Sequence, residues 1–144
     1  MTYNFINEDE KNEFFPLNED EIVKVESELN ITLSKSLRDF DNEIGYGFLK
    51  SSEYNMNRLM DPESVRDFRL RVNDYEYFPD IEIFDEYEEN KLIFFEVSET
   101  ALMSIGTTAD DNRIYYYDVS IADSLVDFLV KMMEDDKYYL ELFQ

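Results

Sequence analysis

The sequence predicts an α+β fold in a single domain, residues 1–144, with helices packed on one face of an antiparallel sheet. Three observations predict it. Apolar residues in the first third recur at helical spacing. Between residues 92 and 118 they form short β-prone runs joined by turn-like segments. The apolar share, 44% of 144 residues, is enough for one core. The aromatic share is 16%, all Phe and Tyr, so that core is built largely from rings.

Residues 1–16 read as a polar lead-in with Phe14 and Phe15 as aromatic anchors. Asn18 then has the position of a helix cap, with Glu21 at capping-box spacing and Ile22, Val25 and Leu29 on one face. "NITLS" breaks this helix. Ser34 caps a second, whose apolar face is Leu37, Phe40 and Ile44, and Gly45 stands where a left-handed turn would end it. "GYGFLKSS" reads as a tight entry into a strand, with residues 54–60 as its pairing partner. Asp61-Pro62 is a helix start, followed by Val65, Phe68 and Val72 on one face. "LIFFEV", "ALMSI" and "RIYYYD" are three strands of a meander, because parallel crossovers need a dozen or more residues. Tyr115, Tyr116 and Tyr117 cannot all face the core of a regular strand. Ser120 is read as the cap of a last helix, with Asp123 at its third position. Leu125, Phe128, Leu129, Met132 and Met133 form its core face, extended by Tyr139, Leu140 and Phe143.

The charge excludes several function classes. A net charge of -22 argues against nucleic acid and anionic membranes, both of which need a basic footprint. The N-terminus has neither the basic nor the apolar region of a signal peptide, and no apolar run is long enough to span a membrane. A soluble cytoplasmic protein is expected. With no His and no Cys, the commonest bases, metal ligands and nucleophile pairs are missing. The three glycines form no phosphate loop. Paired carboxylates could still serve an enzyme, but nothing marks one pair as special, so a non-enzymatic role is expected. "ADDNR" and "DIEIFDEYEE" miss the calcium-loop spacing, and Asp110, Asp111 and Asn112 read better as a turn. No cofactor or metal is expected.

Residues 73–90, "NDYEYFPDIEIFDEYEEN", carry eight carboxylates and five aromatics without one Lys or Arg. They are read as an exposed loop or edge that meets a basic partner. Its charges are Asp74, Glu76, Asp80, Glu82, Asp85, Glu86, Glu88 and Glu89. Tyr75, Tyr77 and Tyr87 are its anchors, and Ile81, Ile83 and Phe84 tie it to the core. The alternative is a solvated loop with no partner. Arg58, Arg66, Arg69 and Arg71 precede the stretch and are read as neutralising it within the fold.

The ordered set of segments resembles the SUKH superfamily, the Smi/Knr type. The segments are "LNEDEIVKVESELNITLSKSLRDFDNEIGYGFL", "NRLMDPESVRDFR", "LIFFEVSETALMSIG", "IYYYD" and "IADSLVDFLVKM", spanning about Leu17 to Met133. Family members often carry Pro in the first link, where this chain has "TLSKS", so no binding residue carries over by motif. The resemblance implies a one-domain α+β fold that acts by binding. In the bacterial branch it implies an immunity protein. Such a protein neutralises a cognate polymorphic-toxin domain, often a nuclease, whose basic groove an acidic surface would fill. The alternative within the family is a non-enzymatic intracellular regulator or scaffold of the cell-wall-synthesis type. A monomer is expected.

Overall fold

The structure is a computed structural model that describes residues 2–50, 52 and 54–143, the side chain of Phe143 excepted. Seven strands form one sheet in chain order, each antiparallel to the next: β1 (Glu13–Phe15), β2 (Tyr46–Phe48), β3 (Arg58–Leu59), β4 (Lys91–Ser98), β5 (Ala101–Gly106), β6 (Ile114–Tyr116) and β7 (Val119–Ala122). The helices are α1 (Asn4–Asn7), α2 (Glu19–Leu29), α3 (Lys35–Glu43), α4 (Pro62–Leu70), α5 (Leu125–Glu134) and α6 (Tyr139–Phe143). The α+β class stands, with all strand pairing antiparallel.

Local chemistry sets the helix ends. The side chain of Asn18 accepts from the Asp20 amide, that of Ser34 from Leu37, and that of Asp61 from Ser64. Each satisfies an amide that the first helical turn leaves free. Glu26 of α2 reaches over the link to α3, accepting from the Leu33 amide at 2.8 Å and pairing with Arg38. Gly45 has φ +114°, and a Cβ there would stand 1.8 Å from the Phe15 carbonyl oxygen. Only glycine lets the chain pass β1 this closely.

The lead-in is part of the fold. Tyr3 and Ile6 are buried, Phe14 packs edge-on against Phe40, and β1 forms the first edge of the sheet. Phe15 is less of an anchor, since it stays half exposed beside Tyr46. Cover is not confined to one face. Leu92–Val97 of β4 are all buried, and side chains of a strand alternate, so both faces are shielded there. The Phe128 ring of α5 packs against Phe94 and Phe95, and α4 lies against β4.

Further readings are corrected beyond the lead-in. Ser120 is not a helix cap; it lies in β7, a strand that its polar neighbours disguise. The cap is Ser124, whose hydroxyl accepts from Asp127, four residues later than the spacing suggested. Leu140 is exposed, whereas Tyr139 is buried against Tyr116. The three tyrosines are reconciled by the backbone. Tyr115 and Tyr116 take opposite sides of β6, and Tyr117 leaves the strand at φ +56°. Its ring therefore falls 4.6 Å from Tyr116 rather than on the side of Tyr115. Val72 ends up exposed, beyond the left-handed cap of α4 at Arg71. Ser51, which the strand-entry reading included, lies outside the described residues.

Candidate partner-binding surface

Residues 73–90 connect α4 to β4. They are not a loop but two stretches of 3-10 helix, Asn73–Tyr75 and Ile81–Tyr87, joined by a turn. Amides bond carbonyls three residues back along the segment: Tyr75 to Val72, Phe78 to Tyr75, Ile81 to Phe78, Ile83 to Asp80 and Glu88 to Asp85. A repeat of three puts every third side chain on one side. Tyr75, Phe78, Ile81, Phe84 and Tyr87 stand at that spacing. Tyr75 and Phe84 are buried and the other three partly so. Phe68 of α4 receives three of the four rings in this set edge-on, Tyr75 at 5.1 Å, Phe84 at 5.9 Å and Phe78 at 6.0 Å. Such contacts add about 0.5–1.5 kcal/mol each beyond area burial.

Tyr75 is therefore a core residue, not a surface anchor. Its hydroxyl donates to Glu96 at 3.0 Å, and Arg58 donates to the same carboxylate oxygen at 2.7 Å. Burial, then the charge of Glu96, pushes the Tyr75 hydroxyl up to about 12. Glu88 is likewise not a free charge. Its side chain is 11% exposed and held by Arg71 at 3.1 Å. Burial nevertheless raises its carboxyl above the ordinary range, with Arg71 opposing the shift. Ile83 does not tie the segment to the core, since it is 45% exposed. The triplet repeat points it away from the packed side. Tyr87 is half-buried against Tyr117 at 5.2 Å.

The arginines divide. Arg71 bridges Asp85 and Glu88, and Arg69 donates to the carbonyls of Glu88 and Lys91 at 3.1 and 2.7 Å. These two clasp the segment. Arg58 and Arg66 do not neutralise it: Arg58 serves Glu96 and Asp61, and Arg66 serves Glu28, Glu63 and Asp67.

What faces solvent is Asp74, Glu76, Asp80, Glu82, Asp85, Glu86 and Glu89, together with Tyr77 at 87% exposure. Of these carboxylates Asp85 pairs with Arg71. Beside them lies a groove of about 470 Å³, lined by Phe78, Pro79, Asp80, Ile83, Phe84, Glu99, Thr100 and Tyr117. Sequence reading missed this groove because its far wall comes from the β4–β5 and β6–β7 turns. Among the described residues no cluster of three or more His, Cys, Asp or Glu is placed to hold a metal ion, and no helix is long and apolar enough to cross a membrane.

Residues 19–129 match the SUKH_6 family model, described as SMI1-KNR4 cell-wall. The chain belongs to the SUKH family. The matched span runs from the start of α2 into α5, so it holds the acidic segment, while α1, β1 and α6 lie outside it. This SUKH chain is also 57% identical over 143 residues to "Immunity protein YxxD" of Bacillus subtilis (strain 168), covering 99% of this chain and 97% of that protein. No solved structure matches it.

Proposed function

We propose that this SUKH chain is an immunity protein that binds a cognate toxin domain and blocks it. The relationship to Immunity protein YxxD supports the role, since identity of 57% extends over nearly the whole of both chains. The toxin domain in this reading is a polymorphic-toxin nuclease with a basic phosphate-binding groove. The outward carboxylates of residues 74–89 fill that groove in place of phosphates, with Tyr77 as the exposed ring at the contact.

One observation carries the choice of surface. Seven carboxylates face outward from a segment without Lys or Arg, on a backbone clamped from behind by Phe68, Arg69 and Arg71. A fixed acidic surface costs little ordering on binding and attracts a basic partner at long range. The protein acts in the cytoplasm as a monomer, by occlusion rather than catalysis and without a cofactor.

The test is to read the neighbouring gene and to co-express the C-terminal toxin domain it encodes with this chain. Wild-type chain is expected to preserve growth and to co-purify with the toxin. The triple variant Glu82→Lys, Glu86→Lys, Glu89→Lys is expected to lose protection while melting as a folded protein. Glu88 is left intact, because reversing it would break the Arg71 clamp. Full protection by the folded triple variant would move the interface elsewhere, and death with wild type would remove that toxin as the partner.

A further inference from the structure

The groove beside the acidic segment is built differently from the charged surface around it. Phe84 and Tyr117 form its floor as a stacked pair, 5.7 Å between centroids and 11° between planes. Tyr117 reaches that position because it leaves β6 in the left-handed region, at φ +56°. Pro79 and Phe78 make one wall, and Ile83 stands in the mouth with 45% of its surface exposed. Asp80 and Glu99 occupy the rim from two different elements. Phe84 itself is buried, but Ile83 and Pro79 are exposed and Phe78 and Tyr117 partly so, which leaves apolar surface wet over that floor. Burying it is favourable by the ordinary hydrophobic term. Its volume is within the range of ligand-holding pockets, about 300–1,000 Å³.

We propose that this groove receives one apolar side chain, aromatic or long aliphatic, carried on a Lys- or Arg-bearing segment of the toxin domain. The inference rests on the immunity reading and names where the desolvated centre of that interface falls. Charge decides the occupant. Asp80 and Glu99 at the rim, with Glu76, Glu82 and Glu86 nearby in sequence, favour cations flanking the inserted side chain. They disfavour a second copy of this chain, because two chains of net charge -22 repel. An apolar anchor within a ring of charge pairs is also how interfaces concentrate affinity: the charges set approach rate and register, and the buried anchor sets residence time.

The experiment titrates purified, catalytically inactivated toxin domain from the neighbouring gene into the chain by calorimetry, at low and moderate salt. The variants are Ile83→Glu and Glu99→Lys, with Val23→Glu, on the exposed face of α2, as the control. All are solvent-exposed positions, and thermal melts confirm folding. Ile83→Glu is expected to weaken binding roughly tenfold to a hundredfold at both salt concentrations. Glu99→Lys is expected to weaken it mainly at low salt, and the control to bind as wild type. Binding by Ile83→Glu equal to wild type overturns the groove proposal and leaves the immunity reading standing. Failure of wild type to bind overturns both. A wild-type dimer in sedimentation that Ile83→Glu dissociates overturns the choice of occupant in favour of a second copy.

Discussion

Replacing Arg71 with Met tests the clamp that holds the acidic surface in place. Met keeps the length of the apolar stem and leaves the left-handed backbone cost at this position unchanged. What disappears is the guanidinium. It donates to Glu88 Oε1 at 3.1 Å, lies 3.1 Å from Glu88 Oε2, reaches Asp85 at 2.7 Å, and donates to the Phe68 carbonyl at 2.6 Å. Removing one partner of a fully buried ion pair costs about 3–5 kcal/mol. Here the Glu88 side chain is 11% exposed and that of Arg71 is 23% exposed, so water relieves part of the penalty. Asp85, at 68%, adds little, about 0–1 kcal/mol. The net expectation is a loss of about 2–3 kcal/mol. At this chain length that is a fall of about 6–10 °C in Tm. Urea denaturation at neutral pH measures the free energy directly. The deficit should narrow on acidification, because a protonated Glu88 no longer needs a cation. It should also shrink by half or more in Arg71→Met with Glu88→Leu. A loss below about 0.5 kcal/mol, or a double variant no better than the single one, would refute the reasoning.

Three further outcomes are expected. Asp41 is 3% exposed, one of its carboxylate oxygens has no hydrogen-bond partner, and burial, then the charge of Asp61, raises its pKa well above the usual range. Its contribution to stability is therefore fully present below the unfolded pKa, about 3.9, and is lost as pH rises through the folded value. Asp41→Asn should melt no lower than wild type at neutral pH and show a shallower fall in Tm as pH rises, whereas parallel profiles would contradict this. Gly45→Ala should cost ~3 kcal/mol or more, read as loss of cooperative melting or of soluble protein, because its Cβ would meet the Phe15 carbonyl at 1.8 Å. Added sodium chloride should raise Tm by screening a net charge of -22. A fall between low and moderate salt would mean that the ion pairs outweigh the repulsion.

Most of the fold was legible because its signals are local. Asn18, Ser34 and Asp61 start helices where their side chains can cap, and the apolar runs of β4, β5 and β6 sit between turn residues. β7 was hidden because "VSIA" is short and Ser120 resembles a cap when the strand before it is not seen. The lead-in was underrated because Tyr3, Phe5 and Ile6 are a short apolar group ahead of a polar run, and only tertiary contact shows Tyr3 and Ile6 buried. The acidic segment was legible as a surface but not as a structure. Its period of three, from Tyr75 to Tyr87, was present in the sequence, yet helix and strand templates look for 3.6 and 2. Tyr75 and Glu88 were misplaced for the same reason. Nothing local said that Glu96 and Arg71 were waiting for them.

Strand order has a consequence for how the molecule comes into being. Because the sheet runs β1 to β7 without a crossover, every strand pairs with the one made just before it. The sheet can lengthen at one growing edge while the chain leaves the ribosome, and no early strand waits for a late partner. Loop closures are short but for two, residues 16–45, which hold α2 and α3, and residues 60–90, which hold α4 and the acidic segment and which its own triplet turns and Phe68 shorten in effect. β7 then pairs with the edge of β6, and α5 and α6 complete the core by covering strands already paired. Such an order shortens the interval between synthesis and a finished binding surface, and it limits the time that unpaired strand edges are exposed.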